Sequence, residues 1–469
     1  MRTIGIDLGV AGEHKALIAD EQGQALSGVI SITSEASRLE HLLEVACQGS
    51  PAEELQAVME PTGMAWYPMA VYLSRQGVKN FLVNGQQVAD LRKYYKKHAK
   101  SDRIDVRVLV KLPVVNPEQL HALELPGAKV LACQRGCKQL DRLVKEHTAI
   151  KNRLIAMDRF AWPGLEKQVY SDLFCPAALW FRRHYYSPYQ VCRAGVEKIH
   201  HEWQKSQLKA EDDGSWIAAL VKLAQAVMTL YGPEGEALDY AFLQAEASSE
   251  EDFLEMVEQM QHEVKYKVVF PLYRQLHPSR NLESLEGVGE VGAAVYVSFI
   301  SNPRRFSSLR KLRGWSGMVP NSRQSANSQS NGLKITQAGP RLIKKFAFLD
   351  AEVARLRDPQ IAAIYYDQMM NKGKHHNQAI CTCAAHLLDR ILLVLRKDQP
   401  FELRDVDGSV VSKAQALEII AQRYTVPPEV RRRNNKKHRQ EATDRQAEKE
   451  LKVRERGVIG SSQRLLQAR

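Results

Sequence analysis

Two short apolar runs near the start of the chain end in the same way. Thr3–Ile6 runs into Asp7-Leu8-Gly9, and Leu55–Met59 runs into Glu60-Pro61-Thr62-Gly63. Runs this short, closed by glycine or proline, read as β-strands. Each strand therefore delivers an acid at its end. Between and after them the period changes repeatedly. HKALIAD and ALSGVISI, joined by EQGQ, are strand-like, whereas Ser37–Cys47 has helical spacing at Leu39, Leu42, Leu43 and Val45. Trp66–Arg75 reads as a helix, KNFLVN as a strand and Gln86–Lys97 as a helix. Strands alternating with helices after an opening meander imply an α/β sheet domain over residues 1–125.

Beyond it the pattern is helical. From Lys129 to Met157, Leu140, His147 and Leu154 fall seven apart, as do Leu143, Ile150 and Met157. Two interleaved heptad rows predict a helical hairpin or coiled-coil arm over 126–160; a buried bundle helix is the other reading. Residues 161–250, with Trp162, Trp180 and Trp203 and the acidic turns EDDG and SSEED, read as a helical insertion. Residues 251–280 read as a returning helix and 281–403 as a compact helical domain. The last segment, 404–469, reads as a basic tail whose stretch VRRRNNKKHRQ is expected to be disordered alone.

The chain has 469 residues and a formal net charge of +12. The charge is unevenly placed. Arg92–Lys111 carries eight Lys or Arg against Asp102 and Asp105, Ser301–Lys345 carries ten and no acid, and Val430–Arg456 carries eleven against five acids. The remainder is net acidic. Concentrated positive charge is the footprint of nucleic-acid binding, with solvated surface as the alternative for any single run. Lys96, Lys97, Lys100, Arg103, Arg304, Arg305, Arg310, Lys311, Arg313, Arg323, Lys334, Lys344 and Lys345 are the candidate contacts. Seven scattered cysteines form no disulfide framework. No leader is visible, and no window approaches the roughly 20 apolar residues of a membrane helix. A cytoplasmic, reduced protein is expected.

Asp102 and Asp105 begin a helix in SDRIDVRVLVK, with Ser101 as N-cap. Residues i and i+3 share a helix face, so their carboxylates repel unless a cation intervenes. Pairing with Lys100, Arg103 or Arg107 is one answer. Hard oxygen ligands suit Mg²⁺ or Mn²⁺, and Asp7, Glu60, Asp102 and Asp105 together can bind two ions ~4 Å apart, the clamp of phosphoryl transfer.

In the second half, GVGEVG at 287–292 lacks the preceding strand of a dinucleotide site and is expected to form a glycine-rich hairpin whose amides meet a phosphate. No GxxxxGK[ST] occurs, so no ATP-driven step is inferred. The stretch from Arg304 to Lys345 holds Ser322, Ser325, Ser328 and Ser330 but no His or acid, so a Ser-His-Asp triad is not available to activate a hydroxyl. His375, His376, Cys381 and Cys383 make a weak zinc pattern, and Cys133 and Cys137 read as packing residues.

GIDLG with Asp7, MEPTG with Glu60 and KSDRIDV with Asp102 and Asp105 resemble the DEDD transposases of the insertion-sequence-110 family, which includes the Piv-type DNA invertases. GMVP at 317–320, RQSA at 323–326 and GLKITQAGP at 332–340 resemble that family's C-terminal transposase domain, with Val106, Ala326 and Gln337 departing from its usual Ala, Gly and Lys. The resemblance implies an RNase H-like, RuvC-like first domain whose four acids bind Mg²⁺. It also implies a nucleophilic serine at Ser325 and a site assembled between subunits of a homodimer or homotetramer; Arg323 and Lys334 are the nearby candidates to stabilise the added negative charge. The implied function is a recombinase moving its own element on DNA, guided by a structured non-coding RNA. A RuvC-type nuclease or junction resolvase without a covalent intermediate, and a non-catalytic nucleic-acid-binding protein, are the other readings.

Overall fold

The computed structural model describes residues 1–9, 12–48, 51–95, 102–206, 214–321, 324–325, 328–329, 335–336, 339–444 and 446–447. They fall into two units, 1–127 and 128–469.

The first unit is built on one mixed sheet. Its strands are β1 (Arg2–Asp7), β2 (His14–Ala19), β3 (Ile30–Ile32), β4 (Leu55–Met59) and β5 (Lys79–Leu82), in the order β3-β2-β1-β4-β5. β1, β2 and β3 form the expected antiparallel meander, while β4 joins β1 and β5 joins β4 in parallel. Its longer helices are α1 (Ala36–Cys47), α2 (Trp66–Arg75), α3 (Gly85–Tyr95) and α4 (Asp102–Leu109). Strand side chains alternate between faces. Ile4, Ile6, Ala57 and Met59 pack on Leu39 and Leu42 of α1 and on Met69 and Leu73 of α2. Val58 and Phe81 take the other face, against Val88 of α3 and Val108 and Leu109 of α4. Burial on both faces explains why these strands are near-continuous apolar runs.

Among its described residues, the regular structure of the second unit is helical apart from a two-residue ladder and isolated bridges. α5 (Ala128–Ala161) is 34 residues long and packs along α9 (Tyr240–Glu263). Of the heptad residues, Leu140, Leu143, Ile150 and Leu154 are buried, and His147 Nε2 lies 2.8 Å from Glu258 Oε1 of α9. A π-helical turn, Val264–Val269, leads from α9 into α10 (Phe270–Leu276). Between α5 and α9 come α6 (Pro176–Tyr185), α7 (Pro188–Lys205, kinked at Gly195) and α8 (Trp216–Tyr231). Trp180, Trp203 and Trp216 meet edge to face in their core.

Two expectations are corrected here, and a third feature gains a packing role. SSEED is no turn but the middle of α9. Its Glu251 is buried and meets Arg182 Nη1 at 3.1 Å, while Arg182 Nη2 reaches Asp158 Oδ2 at 2.6 Å. A tertiary ion pair thus satisfies acids that local pattern assigned to solvent. Two of the three glycines of GVGEVG serve packing. Gly287 (φ +92°) lies against the Asp350 carbonyl and Gly292 against the Asp350 carboxylate, where a Cβ would sit 2.9 Å from Oδ2. Finally, VRRRNNKKHRQ is helical and docked, as described below.

The C-terminal part comprises α11 (Glu290–Ile300), α12 (Leu309–Ser316), α13 (Arg341–Ala354), α14 (Pro359–Tyr366), α15 (His376–Lys397), α16 (Lys413–Arg423) and α17 (residues 428–444). α15 is long and apolar enough by composition to cross a membrane, which the sequence reading did not anticipate. Here it is a core helix, burying Ile380, Leu387, Leu388, Ile391 and Leu392 against α12, α13 and α14.

Candidate active site

Asp7 is the last residue of β1, and Glu60 directly follows β4. Ile6 pairs with Met59 across the two strands, so the acids stand at the same end of neighbouring parallel strands. Alternation puts them on one face as well. Asp7 shares parity with Gly5, and Glu60 with Val58, and that face is covered by α3 and α4.

The direction of α4 follows from two close approaches. A Cβ on Gly5 would lie 2.7 Å from Val110 Cγ1 and 2.8 Å from Val106 O. One on Gly23, beyond the other end of β1, would lie 3.4 Å from Val110 O and from Lys111 Cγ. α4 therefore runs opposite to β1, and its first turn, with Asp102 and Asp105, points toward the sheet end that carries Asp7 and Glu60.

Two residues that sequence reasoning missed shape this corner, both on α3. Gly85 starts the helix, and a Cβ there would come 2.5 Å from Glu60 Oε1. Its lack of a side chain seats the Glu60 carboxylate against the positive end of α3. Arg92 lies two turns further on. Its Nη1 donates to Asp105 Oδ1 at 2.7 Å, with the carboxylate side chain 9 % exposed. Among the described residues Asp105 is thus held by neither Arg103 nor Arg107 but by a cation on α3, 13 positions before it. Only the count of basic residues around Asp102 hinted at it.

Among the described residues, no three His, Cys, Asp or Glu side chains converge as a ready metal nest. The donor chemistry nonetheless fits a hard divalent cation: carboxylate oxygens at two adjacent strand ends, with that of Asp105 on the helix opposite, while the Asp102 side chain lies outside the described ones. Arg92 occupies Asp105 Oδ1.

Ser325 lies in a β-excursion. Gln324–Ser325 (β6) pairs antiparallel with Ser328–Gln329 (β7), Ser325 opposite Ser328. The base is closed by a Pro320–Ile335 bridge and by Thr336 N donating to Val319 O at 2.9 Å. Ser322, Arg323, Ala326, Ser330, Lys334 and Gln337 lie outside the described residues, as do Lys96, Lys97, Lys100 and Ser101.

The candidate cations divide by partner. Arg103, Arg304, Arg310 and Lys311 are exposed, with no ion pair among the described residues. Arg313 is paired with Asp389, and Lys345 Nζ with Asp141 Oδ1 of α5 at 2.7 Å. Lys344 Nζ donates to Thr336 O at 3.3 Å, and burial pushes its pKa down. Arg305 lies over the rings of Phe306 and Trp315, at 4.6 and 4.7 Å. These four have structural tasks that the sequence does not reveal. In the weak zinc pattern, His376 binds Tyr365 and Glu352, His375 stacks on His438, and Cys383 is buried against Ile361.

Comparison with known proteins agrees with the order of these parts. A family model of the DEDD transposase of IS110 matches residues 4–163, and one described as "Transposase IS116/IS110/IS902 family" matches residues 279–366. A 44.8 kDa protein of insertion element IS116 from Streptomyces clavuligerus is 24 % identical over 399 residues, covering 85 % of this chain and 95 % of its own. A 43.6 kDa protein of IS110 from Streptomyces coelicolor is 26 % identical over 357 residues, covering 75 % and 84 %. A 42 kDa protein of IS900 from Mycobacterium paratuberculosis is 28 % identical over 125 residues, covering 26 % and 31 %. A family of DEDD transposases implies DNA as partner and dependence on a divalent metal. With both family models matched in order along one chain, this protein belongs to the IS110-family transposases and is a DNA transposase.

Proposed function

We propose that the chain exchanges DNA strands through a phosphoserine intermediate on Ser325, with Asp7, Glu60, Asp102 and Asp105 as the acid set of an RNase H-like first domain. The observation that carries the reading is the convergence of β1, β4 and the first turn of α4 on one sheet end. Asp7, Glu60, Asp102 and Asp105 would hold Mg²⁺ or Mn²⁺, which when bound supplies charge neutralisation at the reacting phosphate. Gly85 keeps room for the Glu60 carboxylate, and Arg92 holds Asp105 in place until a cation competes for it.

Ser325 Oγ loses its proton and bonds to phosphorus. The bond to the departing sugar oxygen breaks, and that oxygen takes up a proton. Because the phosphodiester is conserved as a serine ester, rejoining needs no nucleotide. Arg323 and Lys334 are the candidate stabilisers of the added negative charge, and the exposed Arg103, Arg304, Arg310 and Lys311 the candidate backbone contacts. A structured guide RNA and a dimeric or tetrameric assembly belong to the same reading.

The test is a strand-exchange assay with the element's ends and Mg²⁺, read on denaturing gels. Wild type should give a protein–DNA adduct, and Ser325→Ala should give neither adduct nor product. Asp7→Asn should abolish both while leaving DNA binding intact. Exchange at a normal rate by Ser325→Ala would show that the serine is not the nucleophile. Cleavage by it without an adduct would favour water-driven hydrolysis of the nuclease type.

A further inference from the structure

α17 carries a dense cation run: Arg431, Arg432, Arg433, Lys436, Lys437 and Arg439. The structure fixes its opposite face. Asn434 is 5 % exposed, and its Nδ2 donates to Met369 O at 2.8 Å and to Lys374 O at 3.2 Å. Asn435 Oδ1 accepts the His376 amide at 3.1 Å, satisfying an orphan N–H at the start of α15. The His438 ring lies on that of His375, with centroids 3.6 Å apart. These contacts come from positions 434, 435 and 438, spaced to share one helix face.

Helical geometry then decides where the cations point. At about 100° per residue, Arg432, Lys436 and Arg439 fall within about 40° of the direction opposite Asn434. All three are exposed and have no ion pair among the described residues. Like charges at i and i+4 destabilise a helix, so folding alone gives no reason for this row. It spans about 10 Å, a length over which one strand of duplex DNA presents about three phosphates. Docking through asparagines and histidine leaves every one of these cations available, unlike Arg313 and Lys345.

We propose that α17 is a preformed, sequence-independent contact for the phosphate backbone of duplex DNA, carried by Arg432, Lys436 and Arg439. Its choice of DNA rests on the transposase reading above.

The test is equilibrium binding of the full-length protein to unrelated duplexes across a salt series. The triple variant Arg432→Gln, Lys436→Gln, Arg439→Gln should keep its melting temperature. It should also bind all duplexes more weakly to the same degree, with the log–log salt slope smaller by about 2 to 3, at ~0.9 per contact. Asn434→Ala, which keeps the charges but loosens the dock, should speed amide exchange over 428–444 and weaken binding as well. An unchanged salt slope in the triple variant overturns the proposal. So does a loss seen with structured RNA but not with duplex DNA, which would make the face an RNA contact. Asp7→Asn, measured alongside, should keep the full slope while losing strand exchange, so the two readings fail separately.

Discussion

Gly5→Ala is the most direct probe of how the acid corner is built. The new Cβ would sit 2.7 Å from Val110 Cγ1, 2.8 Å from Val106 O and 3.1 Å from Leu109 Cβ. Comfortable carbon contacts lie at about 3.5–4.0 Å, so α4 must retreat by up to about 1 Å or β1 must bend. Two of the three obstacles belong to the helix body, a backbone oxygen and a Cβ, and neither can rotate away. Overpacking of this kind costs about 1–3 kcal/mol, against which alanine recovers about 0.5–1 kcal/mol of strand backbone entropy. A net loss of about 0.5–2 kcal/mol should lower the melting temperature by a few degrees. Activity should fall further than stability, because a displacement near 1 Å in a catalytic constellation costs about a hundredfold. Thermal melts and strand exchange, measured well below the transition, separate the two effects. Gly28→Ala, with open space around it, is the control and should be neutral. If Gly5→Ala melted within a degree of wild type and exchanged strands normally, α4 would not cross β1 where the acid corner requires it.

The remaining predictions concern buried charge and the C-terminal dock. Arg182→Leu strands Asp158 and Glu251, both at most 3 % exposed, and should cost about 3–5 kcal/mol in denaturant titrations; a loss under about 1 kcal/mol refutes the network's role. Gly287→Ala imposes a side chain at φ +92° against the Asp350 carbonyl and should destabilise by more than about 1 kcal/mol in the same titration. Burial, then the charges of His438, His376 and Lys374, pushes His375 down to about 4. A base with a depressed pKa favours the neutral docked state, so docking should be full above about 6.5 and weaken as pH falls toward 4. Amide exchange of α17 at several pH values reads this directly, and His375→Gln should flatten the dependence.

The strands and helices of residues 1–95 were legible because each is announced by a local period and closed by glycine, proline or an acid. The four acids were legible for a related reason. A carboxylate at a strand end, and two at i and i+3 opening a helix, are visible in a few consecutive residues. The long helix of 128–161 was visible in its heptads, but its partner was not. Arg92, Gly85 and the docking asparagines were illegible, since nothing in their neighbours marks a residue whose task is performed against a segment 13 to 65 positions away. SSEED was misread for the same cause, its charges looking solvated until Arg182 supplied a partner; VRRRNNKKHRQ was misread because Asn434, Asn435 and His438 dock on the Met369–His376 segment, while its cations stay exposed.

The order of strands and helices over residues 1–95 and the family motifs were thus readable in the sequence alone, which also marks Asp7, Glu60, Asp102, Asp105 and Ser325 as candidates. Tertiary structure decided which way α4 runs, which cation holds Asp105, and which basic residues stay free to meet a phosphate. The difference is physical. Backbone hydrogen bonding and side-chain periodicity act over a few residues, so local order encodes them, whereas an ion pair or a close backbone approach depends on distance in space, which only the folded chain supplies.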